Sequence, residues 1–189
     1  MPAKAGGSIN PIYQVKITLQ GSKPPIWRRV LVPGNFGLHQ VHQVVQIAMG
    51  WTNSHLHQFT VGGENYGEPH PDDWEEVNDE RHLKLKQAVP GEKGKLGYAY
   101  DFGDDWVHEL VVEKILPPEP KGTYPVCLAG KRACPPEDVG GLWGYATFLK
   151  ALNDPNHDEH DSYQEWIGRA FDAEAFDLAE VNQELRRVK

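Results

Sequence analysis

Two runs of alternating residues near the middle of the chain constrain its fold more than any other feature. Leu96, Tyr98, Tyr100 and Phe102 fall on one side of the first run, and Trp106, His108, Leu110 and Val112 on one side of the second. Successive strand side chains point to opposite faces, so a period of two marks half-buried strands. Between the runs stand Gly103, Asp104 and Asp105, residue types suited to a tight reversal. The spacing predicts an antiparallel hairpin with a three-residue turn. Its aromatic face has to be covered by another layer.

The remaining elements are placed around that hairpin. Residues 1–11 read as a disordered lead. Tyr13, Val15, Ile17 and Leu19 alternate with polar residues and form a strand over 12–19. A second strand runs from Ile26 to Val32 and stops at Pro33-Gly34. From Leu38 the period changes: Leu38, Val41, Val44, Val45, Ala48 and Met49 make one helical face, with His39, His42, Gln43 and Gln46 opposite, and Gly50 ends the helix. A third strand is expected over 55–61 and an exposed acidic loop over 64–80. Leu83 to Val89 fits either a short helix or a short strand. Residues 117–142 are rich in Pro and Gly and read as a long loop, a rarity that usually carries function. The last third is helical: Tyr145 to Leu152 first, then a helix opened by a Ser162-x-x-Glu165 capping box, then one opened by Asp177.

The expected fold class is α+β, a mixed sheet with an N-terminal hairpin–helix–strand core and a helical C-terminal third. A β-grasp-like core is the nearest arrangement by analogy. One domain is expected over 12–189, mainly β over 12–116, loop over 117–142 and helical over 143–189.

Charge and composition narrow the function classes. Lys and Arg total 19 against 27 Asp and Glu, a net charge of -8. An acidic chain does not accumulate on phosphate backbones, so direct nucleic-acid binding is not expected. No run approaches the ~20 apolar residues of a membrane span, so no membrane partner is expected. No secretory signal is visible, and the expected location is the cytoplasm. Two cysteines, Cys127 and Cys134, make no disulfide framework. The phosphate-binding loop, the zincin helix, the G-x-S-x-G elbow and the dinucleotide fingerprint are all absent.

Four clusters carry candidate chemistry. Asp101, Asp104, Asp105 and His108 lie on or beside the hairpin turn, and such oxygen and nitrogen donors suit a divalent metal or proton transfer. The plainer reading is that aspartates favour turns and that Trp106 and His108 pack on the sheet. His55-x-His57 shares a strand face and His39-x-x-His42 a helix face, both at positions expected to face solvent. Cys127, Cys134, His157 and His160 offer a Cys2His2 zinc set, though both spacings depart from the common ones. No cofactor is expected otherwise.

Longer strings support a family resemblance. They are Ile12–Ile17, Pro24-Pro25-Ile26-Trp27-Arg28-Arg29, Ile47-Ala48-Met49-Gly50-Trp51, Ser54-His55-Leu56-His57, Tyr100–His108, and Cys127 through Cys134-Pro135-Pro136-Glu137-Asp138-Val139-Gly140-Gly141. The chain resembles the plasmid pRi ORF-3-like family, also labelled insertion-element passenger TnpR, from about Ile12 to Asn182. The resemblance implies an α+β domain found on plasmids, mobile elements and chromosomes, with no established activity. The TnpR label implies a resolvase, yet no serine or tyrosine sits in a recombinase setting.

The expected function is a binding or interaction module with an unknown protein or small ligand as its partner. Its candidate surface uses Trp27, Arg28, Asp101, Asp104, Asp105, Trp106, His108, Glu137 and Asp138, where the hairpin turn meets the 135–141 loop. The alternatives are a metal-dependent hydrolase using the Asp101, Asp104, Asp105 and His108 cluster with Glu137, Asp138 or the 157–161 loop, and a zinc-stabilised structural domain.

Overall fold

The computed structural model describes residues 10–70 and 77–189. In chain order they form β1 (Ile12–Leu19), β2 (Trp27–Pro33), α1 (Leu38–Met49), β3 (His57–Val61), β4 (Glu64–Gly67), β5 (Asn78–Asp79), a 3-10 turn (Glu80–His82) and α2 (Leu85–Ala88). Then follow β6 (Lys95–Tyr100), β7 (Trp106–Leu116), β8 (Val126–Lys131), α3 (Gly141–Asn153), α4 (His160–Ile167) and α5 (Leu178–Leu185). The fold class is α+β. The strands make a single mixed sheet in the order β5-β4-β3-β6-β7-β1-β2-β8. Every pairing is antiparallel except the short β4·β5 pair. No helix among the described residues is long and apolar enough to cross a membrane.

Alternation explains the layering. Val15, Ile17 and Leu19 of β1, Arg28, Val30 and Val32 of β2, Tyr98 and Tyr100 of β6, and Trp106, His108, Leu110 and Val112 of β7 are all buried. Helix α1 brings Leu38, Val41, Val44, Val45 and Ala48 into the same core. Each large side chain removed from water there contributes about 1.5–3 kcal/mol. The opposite sheet face is polar: Arg29 makes a two-pronged bridge to Glu113 at 2.6 and 2.8 Å, and Gln14 donates to the same carboxylate. Gly50 closes α1 in the left-handed region, φ 105°.

Several expectations are corrected. Within the expected 117–142 loop lies β8, an edge strand paired to β2 with a register shift at Arg29/Val30. The expected 64–80 loop contains β4 and β5; its residues 71–76 lie outside the described residues, as do residues 1–9 of the expected disordered lead. Pro11, by contrast, accepts a hydrogen bond from Gly34 N at 2.7 Å. The hairpin turn spans 101–105 rather than three residues, because Tyr100 pairs with Trp106. Helix α4 begins at His160, with Glu159 at its N-cap and no side-chain cap, so Ser162 caps nothing. Asp177 does cap α5, accepting from Ala179 N and Glu180 N at 2.9 Å.

Candidate functional site

The hairpin turn is built by Asp101. Its Oδ1 accepts from Gly103 N at 3.0 Å and Asp104 N at 3.4 Å, while Asp105 N donates to its carbonyl at 2.6 Å. This side-chain-to-backbone bonding is what makes aspartate a turn residue. Asp101 and Asp105 both hold left-handed backbones, φ 56° and 55°. The turn then meets the 135–141 loop. Asp104 Oδ2 accepts from Gly140 N at 3.1 Å, and a Cβ on Gly141 would lie 2.5 Å from the Asp104 carbonyl oxygen. Only a glycine permits that approach at φ 65°.

Two further anchors fix the loop. Trp51, just past the end of α1, donates its indole N–H to the Pro135 carbonyl at 3.1 Å. Tyr100, at the end of β6, donates a short hydrogen bond to Glu137 Oε1 and accepts from Ser54 N at 2.9 Å and His55 N at 3.3 Å. Thr52 also binds Glu137, through both its backbone N–H and its hydroxyl. Burial, with the Glu137 bond second, pushes the Tyr100 hydroxyl pKa up, so it stays a donor. Three segments therefore converge: 52–56, 101–105 and 135–141.

At their meeting point His55 Nε2 lies 3.0 Å from Asp138 Oδ1 and 3.6 Å from Asp101 Oδ2. The three donor atoms lie within 4.8 Å of one another. Asp101 is nearly enclosed, its side chain 11% exposed, whereas Asp138 is 68% exposed, so the cluster opens to solvent on the loop side. Leu56, Phe102 and Trp166 are large apolar side chains left exposed, at 69%, 55% and 47%. Leu56 adjoins His55, Phe102 adjoins Asp101, and Trp166 shares with Asp138 and Val139 a groove of about 300 Å³. A larger cavity of about 550 Å³ lies elsewhere, between the C-terminal end of α1 and residues 169–184.

The remaining predicted site residues are distributed differently. Trp106 and His108 are fully buried, with Trp106 Nε1 and His108 Nε2 lacking hydrogen-bond partners, so neither reaches the surface. Burial lowers the His108 pKa to about 4. Arg28 is buried in the layer between sheet and helices. Its guanidinium donates to the carbonyls of Ala48 at 2.6 Å and of Trp27 and Lys131 at 2.9 Å, and stacks 4.2 Å from the Phe176 ring. Trp27 points to the other sheet face, over which Lys16 and Arg29 lie. The expected hydrolase set is thus divided: Asp101, Asp104, Glu137 and Asp138 share the seam, Asp105 is exposed on the turn, and His108 is sealed in the core.

The zinc set does not assemble either. No three of Cys127, Cys134, His157 and His160 come within ligand distance of one another. His160 donates Nδ1–H to the Ala151 carbonyl at 2.7 Å, and His157 Nδ1 accepts from Glu159 N. Both thiols are pushed to higher pKa by burial.

His55 itself did not stand out in the sequence except as half of a pair with His57. That pair is split because β3 starts only at His57. The His57 ring stacks face to face on His42, centroids 3.4 Å apart, and donates to the buried Glu80 at 2.9 Å. His42 and Gln46, expected on the solvent side of α1, are buried. Gln46 donates to the Tyr98 hydroxyl, Tyr98 donates to His42 Nδ1, and His42 Nε2–H donates to Asn53 Oδ1. This chain fixes Asn53, two residues before His55. Its signal in the sequence was the close clustering of polar side chains on one side of α1.

Comparison with known proteins agrees with this architecture. The family model for plasmid pRiA4b ORF-3-like protein matches residues 11–180. An uncharacterised Sinorhizobium fredii protein, y4hQ, is 39% identical over 175 residues, covering 91% of this chain and 89% of its own. The crystal structure of MM3350, a protein of unknown function from Methanosarcina mazei Go1, superposes with a TM-score of 0.82 at 36% identity, covering 92% of this chain and 97% of the other. On a match that spans most of its length, the chain belongs to the plasmid pRiA4b ORF-3-like family.

Proposed function

We propose that the protein is a binding module that recognises a protein or small-ligand partner at the seam between the hairpin turn and the 135–141 loop. The hairpin–helix–strand start of the chain is read as a β-grasp-like scaffold for that face. The observation that carries the reading is the bond from Gly140 N to the Asp104 carboxylate. It joins two segments far apart in sequence into one surface. Loops fixed before a partner arrives lose little entropy on binding, which favours affinity. The contact face has an acidic centre at Asp101, Glu137 and Asp138, with His55 among them and an apolar rim of Leu56, Phe102 and Trp166. Apolar anchors around a polar centre are the usual anatomy of a recognition patch. Trp106 and His108 support the face from beneath.

A recombinase reading finds less support. The Ser22 hydroxyl is committed to Leu19 O and Ile26 N, and Arg28 and Arg29 are committed to carbonyls and to Glu113. The test is a photo-crosslinking side chain placed at Phe102, at Leu56 and, as control, at Lys114 on β7, read by adduct mass in the host cell. The expected result is one adduct of the same mass from the first two positions, none from Lys114, and loss of both when Asp104→Ala is added. Equal adducts from all three positions, or none from any, would refute the reading.

A further inference from the structure

We propose that His55, Asp101 and Asp138 form a divalent-cation site at the centre of the recognition face, taking a first-row transition dication of the Mn2+ to Zn2+ series. The inference rests on the same seam and names what binds in its middle.

The three groups are brought together without satisfying one another. His55 Nε2 is itself shielded from solvent, with no hydrogen-bond partner, although Asp138 Oδ1 is 3.0 Å away and Asp101 Oδ2 3.6 Å away. In an ordinary imidazole–carboxylate pair the oxygen lies along the ring N–H direction and receives it. Here Asp138 Oδ1 is within hydrogen-bond distance yet does not receive that N–H, and Asp101 Oδ2 lies just beyond reach. This is the arrangement of neighbouring ligands around a shared ion: with metal–ligand distances of about 2.0–2.2 Å, donors at right-angled or tetrahedral positions sit about 3.0–3.5 Å apart. The observed separations bracket that range.

The surroundings hold the donors for this use. Asp101 spends Oδ1 on two backbone N–H groups of its own turn, which leaves Oδ2 free and aimed at His55. The backbone of His55 is held by the Tyr100 hydroxyl, and its ring packs edge-on against the Tyr100 ring with centroids 5.8 Å apart. Outer hydrogen bonds of this kind orient metal ligands and raise their affinity. Two carboxylates and a neutral imidazole carry a summed charge that a dication cancels. A nitrogen donor beside two oxygens favours the transition series over Mg2+ and Ca2+, which prefer all-oxygen shells. Among the described residues three protein donors converge, and the Asp138 side is open, so positions remain for water or for a donor atom of the partner.

The test is calorimetric titration of the whole chain, stripped with EDTA, with Mn2+ and with Zn2+, and Mg2+ as comparison. One equivalent should bind, with Mg2+ at least tenfold weaker. H55Q and D138N should each weaken Mn2+ and Zn2+ binding tenfold or more. D138N alters an exposed side chain and should melt like the parent in EDTA, so its loss of binding cannot come from misfolding. Absence of stoichiometric Mn2+ or Zn2+ uptake up to about 1 mM, the weak end of the range for protein divalent-cation sites, would overturn the proposal. So would uptake that H55Q and D138N leave unchanged, since the ion would then sit on other histidines. Crosslinking from Phe102 without ion binding would sink the cation site and spare the recognition face; ion binding without crosslinking would do the reverse.

Discussion

Replacing Gly144 by alanine should reverse the sign that helix propensity alone assigns. Gly144 lies inside α3, and alanine in a helix interior is favoured over glycine by about 1 kcal/mol. In this fold, however, a Cβ at Gly144 would stand 1.9 Å from the Val139 carbonyl oxygen and 2.8 Å from its carbon. Relieving that contact requires about 1.5 Å of separation to reach ordinary packing. The group that must move is backbone, and it cannot move freely. Val139 is buried, and the loop around it is tied by Trp51 to Pro135, by Tyr100 to Glu137 and by Asp104 to Gly140. Overpacking of this kind costs about 1–3 kcal/mol, and losing the Gly140–Asp104 bond about 1 more. Against the propensity gain, the net is a destabilisation of about 1–3 kcal/mol. Urea unfolding followed by far-UV circular dichroism should show a lower midpoint at unchanged slope, and thermal melting a fall of about 2–12 °C. The same shift displaces Asp138, so Mn2+ binding should weaken as well. A Gly144→Ala protein stabilised by about 1 kcal/mol would refute the account, because it would mean that the 135–141 loop yields at no cost and that the seam is not a fixed surface.

Two other perturbations probe the supporting layer. Removing Arg28 withdraws its hydrogen bonds from three carbonyls, the Ala48 one buried near the negative end of α1 and those of Trp27 and Lys131 part-buried, and leaves the space of a buried side chain, so Arg28→Ala should cost more than about 3 kcal/mol, and Arg28→Lys should recover less than half because one ammonium cannot span the fork; parental stability in the lysine variant, measured by urea titration, would contradict this. Acid should destabilise the fold through His42 and His108, whose pKa values burial lowers to about 4. Between pH 6.5 and 4 the unfolded chain binds protons that the native chain refuses, so stability rises with pH there and is lost on acidification, by up to about 3 kcal/mol per histidine. His108→Leu should flatten the dependence of the urea midpoint on pH by about half; an unchanged slope would exclude desolvated His108 as its source.

The parts of the fold that could be read from the sequence are those where one local signal sufficed. The alternation of Tyr98 and Tyr100 with Trp106 and His108 places the hairpin, the period of Leu38 to Ala48 places α1, and Gly50 and Asp177 mark helix ends. β8 was hidden because an edge strand is paired on one side only. Among its residues Cys127 alone is buried, and Gly130 and the register shift break the alternation. The hairpin spacing put Trp106 and His108 on the face that another layer has to cover, and their nearness to the turn is what drew them into the expected surface. The covered face prevails, and both are buried.

His55 illustrates the deeper reason the site was only half legible. Period two binds His55 to His57 on paper, but the strand starts at His57, and one residue of irregular chain turns the two rings apart. One ring goes to His42 and Glu80, the other to Asp101 and Asp138. What recruits His55 is Tyr100, forty-five residues later, whose hydroxyl serves two backbone N–H groups of the 54–55 segment and one carboxylate of the 135–141 loop. No periodicity encodes such a junction, because its members share neither an element nor a spacing. The sequence carried it only as a set of separate oddities: a tyrosine at a strand end, paired prolines before two acids, glycines after them. Since a single hydroxyl holds two of the three converging segments, Tyr100 links the sheet to the proposed recognition face, and the cation proposed for that face would find its histidine already in place.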